Sequence, residues 1–296
     1  MRIALTGATG FVGRHLAARL ISDGHTLRCW RRPTSDTTGL PDAIEWVEGG
    51  LHDPASVGPL LDRCDALIHA AMHKSGDFQS PPASLVQYAE LNVLGSLRLF
   101  EAAAERGPLR TVYLSSGGVH DVVLEDRPLD ESHPLWPKSL YGAHKAALEA
   151  FVSALGRGQR VPICVVRSCA VYGLAYRPPA SRWFGLVGCV ARGERVELKG
   201  GRKVVHAADV AAACSLLLHA DRDAIVGEVF NCCDRYVSRH EVATIARELS
   251  GSDAEIVGEP SEPKHTIETG KLTSLGMRFG GTERLRATIA ELLAAQ

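Results

Sequence analysis

Tyr141 and Lys145 carry the clearest chemistry in this sequence, in the run Tyr141-Gly142-Ala143-His144-Lys145. On a helix, residues four apart lie on one face, so the phenol and the ammonium enter the same space. A phenol with an ordinary pKa of about 10 is a poor base at neutral pH, and a nearby cation favours its ionised form. The expectation is a tyrosine acid/base with its pKa lowered by Lys145. Upstream, Val112-Tyr113-Leu114-Ser115-Ser116-Gly117-Gly118 reads as a strand running into a loop. That places Ser115, Ser116 and Gly117 at the carboxyl end of a sheet strand, where open α/β sheets bind ligands. Hydroxyl, phenol and ammonium can then converge on one reacting oxygen.

A second chemical signal opens the chain. Thr6-Gly7-Ala8-Thr9-Gly10-Phe11-Val12-Gly13 stands between a strand-like run, Arg2 to Thr6, and a helix-like run, Phe11 to Ser22. Gly7 permits the tight turn, Gly10 admits a pyrophosphate to the backbone, and Gly13 lets helix and strand pack closely. The helix N-terminus offers free N–H groups and partial positive charge to an anion. Gly7, Thr9, Gly10, Phe11, Val12 and Gly13 are thus candidate dinucleotide contacts. An acidic residue usually holds the ribose 2′-hydroxyl at the end of the second strand. Here Trp30-Arg31-Arg32 stands there instead. Two guanidiniums suit a 2′-phosphate, which favours NADP(H) over NAD(H); the alternative is a pair of solvated arginines.

The elements that must position these groups alternate. Strands are expected at Thr26 to Trp30, Ile44 to Val47, Ala66 to Ala70, Thr111 to Leu114 and Pro162 to Val166. Helices are expected from about Ser84 to Arg106 and from Lys138 to Leu155. This is the rhythm of an α/β, Rossmann-type, doubly wound parallel sheet. After Gly173 the pattern turns α+β: a loop at Arg177, Pro178 and Pro179, a helix around Trp183 to Arg192, and short strands near Val196 and Val204. A core strand returns near Val229 and Phe230. The division expected is a dinucleotide-binding domain over residues 1–173, with a returning strand near 227–232, interleaved with a smaller substrate lobe over 174–296.

Bulk properties narrow the partners. With 296 residues, 45% of them hydrophobic, the chain can bury a large core. A net charge of −1 gives no global attraction to nucleic acid or an anionic membrane, so a small-molecule substrate is expected. The eight cysteines form no Cys-x-x-Cys pair and read as reduced thiols of a cytoplasmic protein. His69 and His73 straddle a strand end and read as structural or substrate-side, with no metal expected. The longest apolar helical stretch, Val210 to Ala220, is too short for a bilayer, and Gly7, Gly10 and Gly13 interrupt the N-terminal apolar run.

Several motifs occur together in a recognisable order: the glycine turn, Asp65-Ala66-Leu67-Ile68-His69-Ala70-Ala71, the Ser115-Ser116 strand end, Tyr141 with Lys145, Arg167 through Gly173, and His206 with Asp209. In this the chain resembles the extended short-chain dehydrogenase/reductases of the NAD-dependent epimerase/dehydratase family. The resemblance implies that Tyr141 is the acid/base, that Lys145 also binds the nicotinamide ribose, and that Ser116 holds the substrate oxygen. It places Ala70 and Ala71 beside the cofactor and suggests a homodimer. Two places depart from the family pattern. Gly49-Gly50-Leu51-His52-Asp53 lacks the usual acidic residue, leaving adenine recognition to Leu51 and backbone atoms. Val119-His120-Asp121 replaces a common Val-Tyr-Gly, and His120 reads as a surface loop residue or a substrate contact.

Arg202, in Gly200-Gly201-Arg202-Lys203-Val204, resembles an arginine that reaches a substrate diphosphate, whereas Glu262-Pro263-Lys264-His265-Thr266 lacks the second arginine of the pattern. Lys264 is a substitute or a solvated lysine. Met72, His73, Lys74, Cys169, Ala170 and Trp183 complete the candidate substrate contacts. The leading expectation is an NAD(P)-dependent oxidoreductase or epimerase acting at a C–OH or C=O carbon of a sugar or nucleotide-sugar. The alternatives are an NADPH-dependent carbonyl reductase of a non-sugar ketone and a non-catalytic NADP-sensing regulatory protein.

Overall fold

The computed structural model describes residues 1–73, 82–107 and 109–296. The first half supplies strands β1 (Arg2–Thr6), β2 (Thr26–Arg31), β3 (Glu45–Glu48), β4 (Ala66–His69), β5 (Arg110–Ser116) and β6 (Ile163–Ser168). Its helices are α1 (Phe11–Ser22), α2 (Val57–Leu61), α3 (Leu85–Ala89), α4 (Gly95–Glu105) and α5 (Leu140–Ser153). The second half adds β7 (Ala170–Tyr172), α6 (Phe184–Ala191), β8 (Val196–Glu197), β9 (Gly201–His206), α7 (Ala207–His219) and α8 (Arg222–Ile225). It closes with β10 (Val229–Cys232), β11 (Arg235–Ser238), α9 (Arg239–Ser250), β12 (Ile256–Val257), α10 (Gly270–Ser274) and α11 (Gly281–Ala294).

Seven strands form one sheet in the order β10-β6-β5-β4-β1-β2-β3, and every adjacent pair is parallel. Such strands are buried on both faces, which is why they read as continuous apolar runs. Alternate residues feed two cores. Ile3, Leu5, Ile68, Val112 and Val166 pack with α1 and α7, while Ala4, Leu67, Tyr113 and Val165 pack with α2, α4 and α5. The chain reverses its direction of winding between β1 and β4, and ligands of such sheets bind at that crevice.

The helix expected over 84–106 is broken into α3 and α4 by a π-helical turn, Glu90–Leu94. In that turn Asn92 accepts the His73 N–H at 2.8 Å, and its own amide donates to the His73 carbonyl at 3.2 Å. Inserted residues of this kind are common beside functional sites. The α5 helix likewise ends in a π turn, Ala154–Gly158.

Helix α7 packs its buried face, including Val210, Ala211 and Cys214, onto Leu16, Ala17 and Leu20 of α1. Strand β10 joins the edge of the large sheet beside β6. The remaining strands of the second half pair among themselves: β9 lies between β7 and antiparallel β11, and β8 pairs with β12. They enclose a third core with α6, α9 and α11, centred on Tyr172, Val190, Val237 and Ile289.

Candidate active site

A cavity of about 920 Å³ runs along the carboxyl edge of the large sheet, from the glycine turn to β9. Its first wall is Gly7, Gly10, Phe11, Val12 and Gly13, with Ala70 opposite. Gly7 has φ +78°, and a Cβ there would lie 2.8 Å from the Ala71 nitrogen, so only glycine fits. Gly10 donates its N–H to the Gly7 carbonyl at 2.9 Å and stands at the N-cap of α1. No side chain caps that helix end, and no acidic residue occupies its first turn. The leading N–H groups are therefore available to an external anion, with the helix dipole behind them. These are the features a pyrophosphate requires, and the cradle fits a dinucleotide.

Thr6 braces the turn from below. Its hydroxyl accepts the N–H groups of Ala70 at 3.2 Å and Ala71 at 3.1 Å. The same hydroxyl meets His69 Nδ1 at 2.7 Å, and His69 Nε2 meets the Ser96 hydroxyl at 2.8 Å. Burial holds this imidazole neutral, its pKa pushed down to about 3, so His69 is a structural residue. Thr9 is half-buried within the turn, and Leu51 sits in the core against Gly95. Arg31 and Arg32 are exposed where β2 ends, and among the described residues neither makes an ion pair with a carboxylate.

Farther along, β5 ends at Ser116, and α5 starts after Ser139, whose hydroxyl caps the Gly142 N–H at 3.0 Å. A Cβ on Gly142 would lie 2.3 Å from the Gly118 carbonyl oxygen, so this glycine lets the helix sit against the serine loop. Tyr141 then reaches a hydrogen bond with Ser116. Ser116, Tyr141 and Lys145 line the same cavity as the glycine turn.

The electrostatics correct the expectation for Tyr141. Burial raises its pKa above the ordinary value, and the Ser116 hydrogen bond opposes without overcoming it. The Lys145 ammonium donates to the Leu114 carbonyl at 2.7 Å and lies 6.0 Å from the Tyr141 ring centre, closer to the Tyr113 ring at 4.7 Å, so its charge is directed largely elsewhere. Burial also pulls the Lys145 pKa down to about 7, against the opposing charge of Glu149. His144, beside it on α5, bonds Tyr88 Oη through Nδ1 at 2.7 Å and stands edge-on to the Tyr141 ring.

Other candidates divide. Gly117, Met72, Cys169, Ala170, Arg202 and Lys264 line the cavity, the last paired with Glu125 at 2.5 Å. Ser115 lines the cavity as well, but its hydroxyl donates to the buried Glu149 carboxylate. His73 is held by Asn92 through its backbone and is not a wall residue. Trp183 is also a correction; its ring packs on Tyr172 at 5.2 Å and belongs to the third core. His120 is not a surface residue. It lines the cavity and accepts a hydrogen bond from Arg167, 2.9 Å away. Lys74 lies outside the described residues.

Sequence reasoning missed Glu149, Arg182 and Lys203, and took Arg167 only as part of a motif. Glu149 carries the one available signal, standing four residues after Lys145 on the same helix face. Arg182, Arg202 and Lys203 all line the cavity, and no carboxylate pairs with any of them among the described residues. Burial lowers the Arg182 pKa, and the neighbouring Arg202 charge lowers it further. Arg182 donates to the Val171 carbonyl at 3.3 Å, and the positive charge on this wall favours an anionic ligand. Among the described residues, no cluster of His, Cys, Asp and Glu could hold a metal ion, and no helix is long and apolar enough to cross a membrane.

This sheet, its glycine cradle and the Ser116–Tyr141–Lys145 wall define an extended short-chain dehydrogenase/reductase. The chain belongs to the NAD dependent epimerase/dehydratase family, whose pattern it matches over residues 3–233. Among curated relatives, a UDP-glucose 4-epimerase of Mycolicibacterium smegmatis is 29% identical over 284 residues, covering 89% of this chain and 85% of the relative. A 4-hydroxy-2-methyl-3-oxo-4-farnesyl-3,4-dihydroquinoline-1-oxide ketoreductase of Stigmatella aurantiaca is 28% identical over 271 residues, with coverage of 88% and 76%. The structure of the Thermus thermophilus UDP-glucose 4-epimerase in complex with NAD is 26% identical, covers 100% of both chains and superposes with a TM-score of 0.79.

Proposed function

We propose that the chain moves hydride between a nicotinamide cofactor and a carbon bearing a hydroxyl or carbonyl, in a sugar or nucleotide-activated sugar. The observation that carries this reading is the hydrogen-bonded Ser116–Tyr141 pair on the wall of the cavity that begins at the glycine cradle. Gly7, Gly10, Phe11, Val12 and Gly13 would hold the dinucleotide, and when bound it supplies a hydride donor or acceptor. Ser116 holds the substrate oxygen. Tyr141, protonated at neutral pH because burial raises its pKa, gives its proton to a carbonyl oxygen as hydride arrives at the carbon, leaving an alcohol. The reverse direction starts from the ionised phenol, whose oxygen takes the hydroxyl proton as hydride departs. Return of hydride to the opposite face gives an epimer; release after one transfer gives net oxidation or reduction.

Arg182, Arg202 and Lys203 support a substrate with an anionic group such as a diphosphate. Arg31 and Arg32, without carboxylate partners among the described residues at the end of β2, support NADP(H) over NAD(H). Leu85 and Val86 on α3 and Phe151 on α5 expose 60%, 68% and 47% of their surface, which supports association of two copies through these helices. The second reading, reduction of a non-sugar ketone, is favoured by the Stigmatella ketoreductase similarity.

The test follows cofactor absorbance with UDP-glucose and with a simple ketone, alongside analysis of the sugar isomers. Isomer exchange without net cofactor turnover identifies the epimerase; NADPH consumption that scales with ketone identifies the reductase. Tyr141→Phe is expected to lower turnover by about 10²- to 10⁴-fold while cofactor binding persists. Full turnover by that variant overturns the assignment.

A further inference from the structure

Arg167 on β6 and Glu149 on α5 form a buried ion pair, 2.6 Å between guanidinium Nη2 and Oε2, with side chains 2% and 3% exposed. The remaining guanidinium donors reach Glu149 Oε1 at 3.3 Å, His120 Nε2 at 2.9 Å and Asn231 Oδ1 at 3.4 Å. A guanidinium only donates, so His120 Nε2 must present its lone pair and the ring hydrogen belongs on Nδ1. Burial first, then the charges of Arg167 and His133, push the His120 pKa down to about 3. The Nδ1 side of the ring is buried and, among the described residues, has no hydrogen-bond partner, the Pro134 carbonyl being taken by His133. The imidazole is neutral at any working pH, which makes it a poor proton carrier.

His120 also heads the loop that walls the cavity through Val123 and Leu129. That loop is braced internally by His133, whose Nε2 accepts the Leu124 N–H at 3.0 Å and whose Nδ1 meets the Pro134 carbonyl at 2.9 Å. The His120 ring packs edge-on against His133, 5.3 Å between centres. The loop's far end is tied independently: the Leu129 carbonyl accepts the Glu268 N–H at 3.0 Å, and the Glu131 carboxylate accepts the Asn231 N–H at 2.7 Å. Its near end is joined through His120 to the charge pair one helical turn beyond Lys145, with Asp121 also accepting the Lys138 N–H at 2.6 Å.

We propose that His120 is a positioning residue: it suspends the wall of residues 121–128 from the buried Arg167–Glu149 pair and so determines which substrates fit beside Tyr141. The proposal rests on reading this cavity as the substrate site. Its chemistry is that of a fixed hydrogen-bond acceptor, and no proton is transferred through it.

The experiment compares His120→Ala and His120→Gln with the parent chain, since a glutamine carbonyl can still accept from Arg167. Backbone hydrogen exchange in the unliganded protein is expected to rise about tenfold over residues 121–128 in His120→Ala and to stay unchanged over 140–153. Fluorescence titration is expected to show NADPH affinity unchanged. With UDP-glucose, or the simple ketone if that is the compound turned over, KM is expected to rise about tenfold while kcat stays within about threefold. His120→Gln is expected to recover both values. Unchanged exchange in His120→Ala overturns the proposal, as does a large fall in kcat at constant KM with a limb lost from the pH profile. The exchange measurement needs no substrate, so it decides the matter even where Tyr141→Phe has overturned the catalytic reading.

Discussion

A Cβ built on Gly13 falls 1.9 Å from the carbonyl oxygen of Gly7, so the first turn of α1 and the loop that feeds it meet backbone to backbone. Gly10 is less confined, with its nearest atom, the same oxygen, at 3.2 Å. The two glycines should therefore fail differently. Gly13→Ala must push helix and loop apart, costing about 1–3 kcal/mol as an overpacked contact, and both thermal stability and NADPH affinity should fall. Gly10→Ala should lose affinity with a much smaller change in melting temperature. Thermal unfolding with a parallel fluorescence titration separates the two; equal losses of stability would contradict the geometry.

Arg31 and Arg32 lie exposed at the end of β2. Replacing both by alanine should weaken NADPH binding about tenfold or more, since a charged hydrogen bond contributes about 1.5–3 kcal/mol, and should leave NADH binding nearly unchanged. Raising salt should narrow the gap between the two cofactors in the parent chain. Tighter NADH than NADPH binding in the parent chain would contradict the reading.

Lys145 makes stability depend on pH. Its folded-state pKa, about 7, lies below the ordinary value of 10.5, so between these limits the unfolded chain binds more protons than the folded one. The cost of burying the ammonium is complete below pH 7 and disappears as pH rises toward 10.5. Lys145→Met should therefore be more stable than the parent at about pH 7, with the difference shrinking steadily as pH approaches about 10. Denaturant melts of both proteins across that range provide the check, and a constant difference would show that the ammonium is not desolvated.

The Arg167–Glu149 pair should be expensive to break and inexpensive to delete. Arg167→Met alone leaves the carboxylate buried without its cation, at a cost of about 3–5 kcal/mol. The double variant with Glu149→Gln should cost clearly less than the two single changes added together. Urea unfolding of the four proteins completes the cycle, and simple additivity would mean that the two charges do not interact.

Local order along the chain was legible because it rests on local physics. Strands β1, β2, β4, β5 and β6 are apolar runs buried on both faces, and α1 begins where a glycine turn ends. The break between α3 and α4 was not, because a π turn changes backbone pairing without interrupting the helical residue pattern. Ser115 and Ser116 look alike in sequence. Successive strand residues point to opposite faces, so one hydroxyl goes to Glu149 and the other to Tyr141.

From sequence alone, residue type and spacing determined that a phenol and an ammonium share a helix face, that a strand delivers a serine toward them, and that a glycine bend precedes α1. Which partner each group takes was decided only by folding. Lys145 turns to the Leu114 carbonyl, and Arg167, eighteen residues from Glu149, closes on that carboxylate across the sheet edge. Arg182 and Arg202 come to one cavity from the approach to α6 and from β9. Charge and hydrogen-bond partners depend on distance and on the exclusion of water, and both are properties of the packed chain.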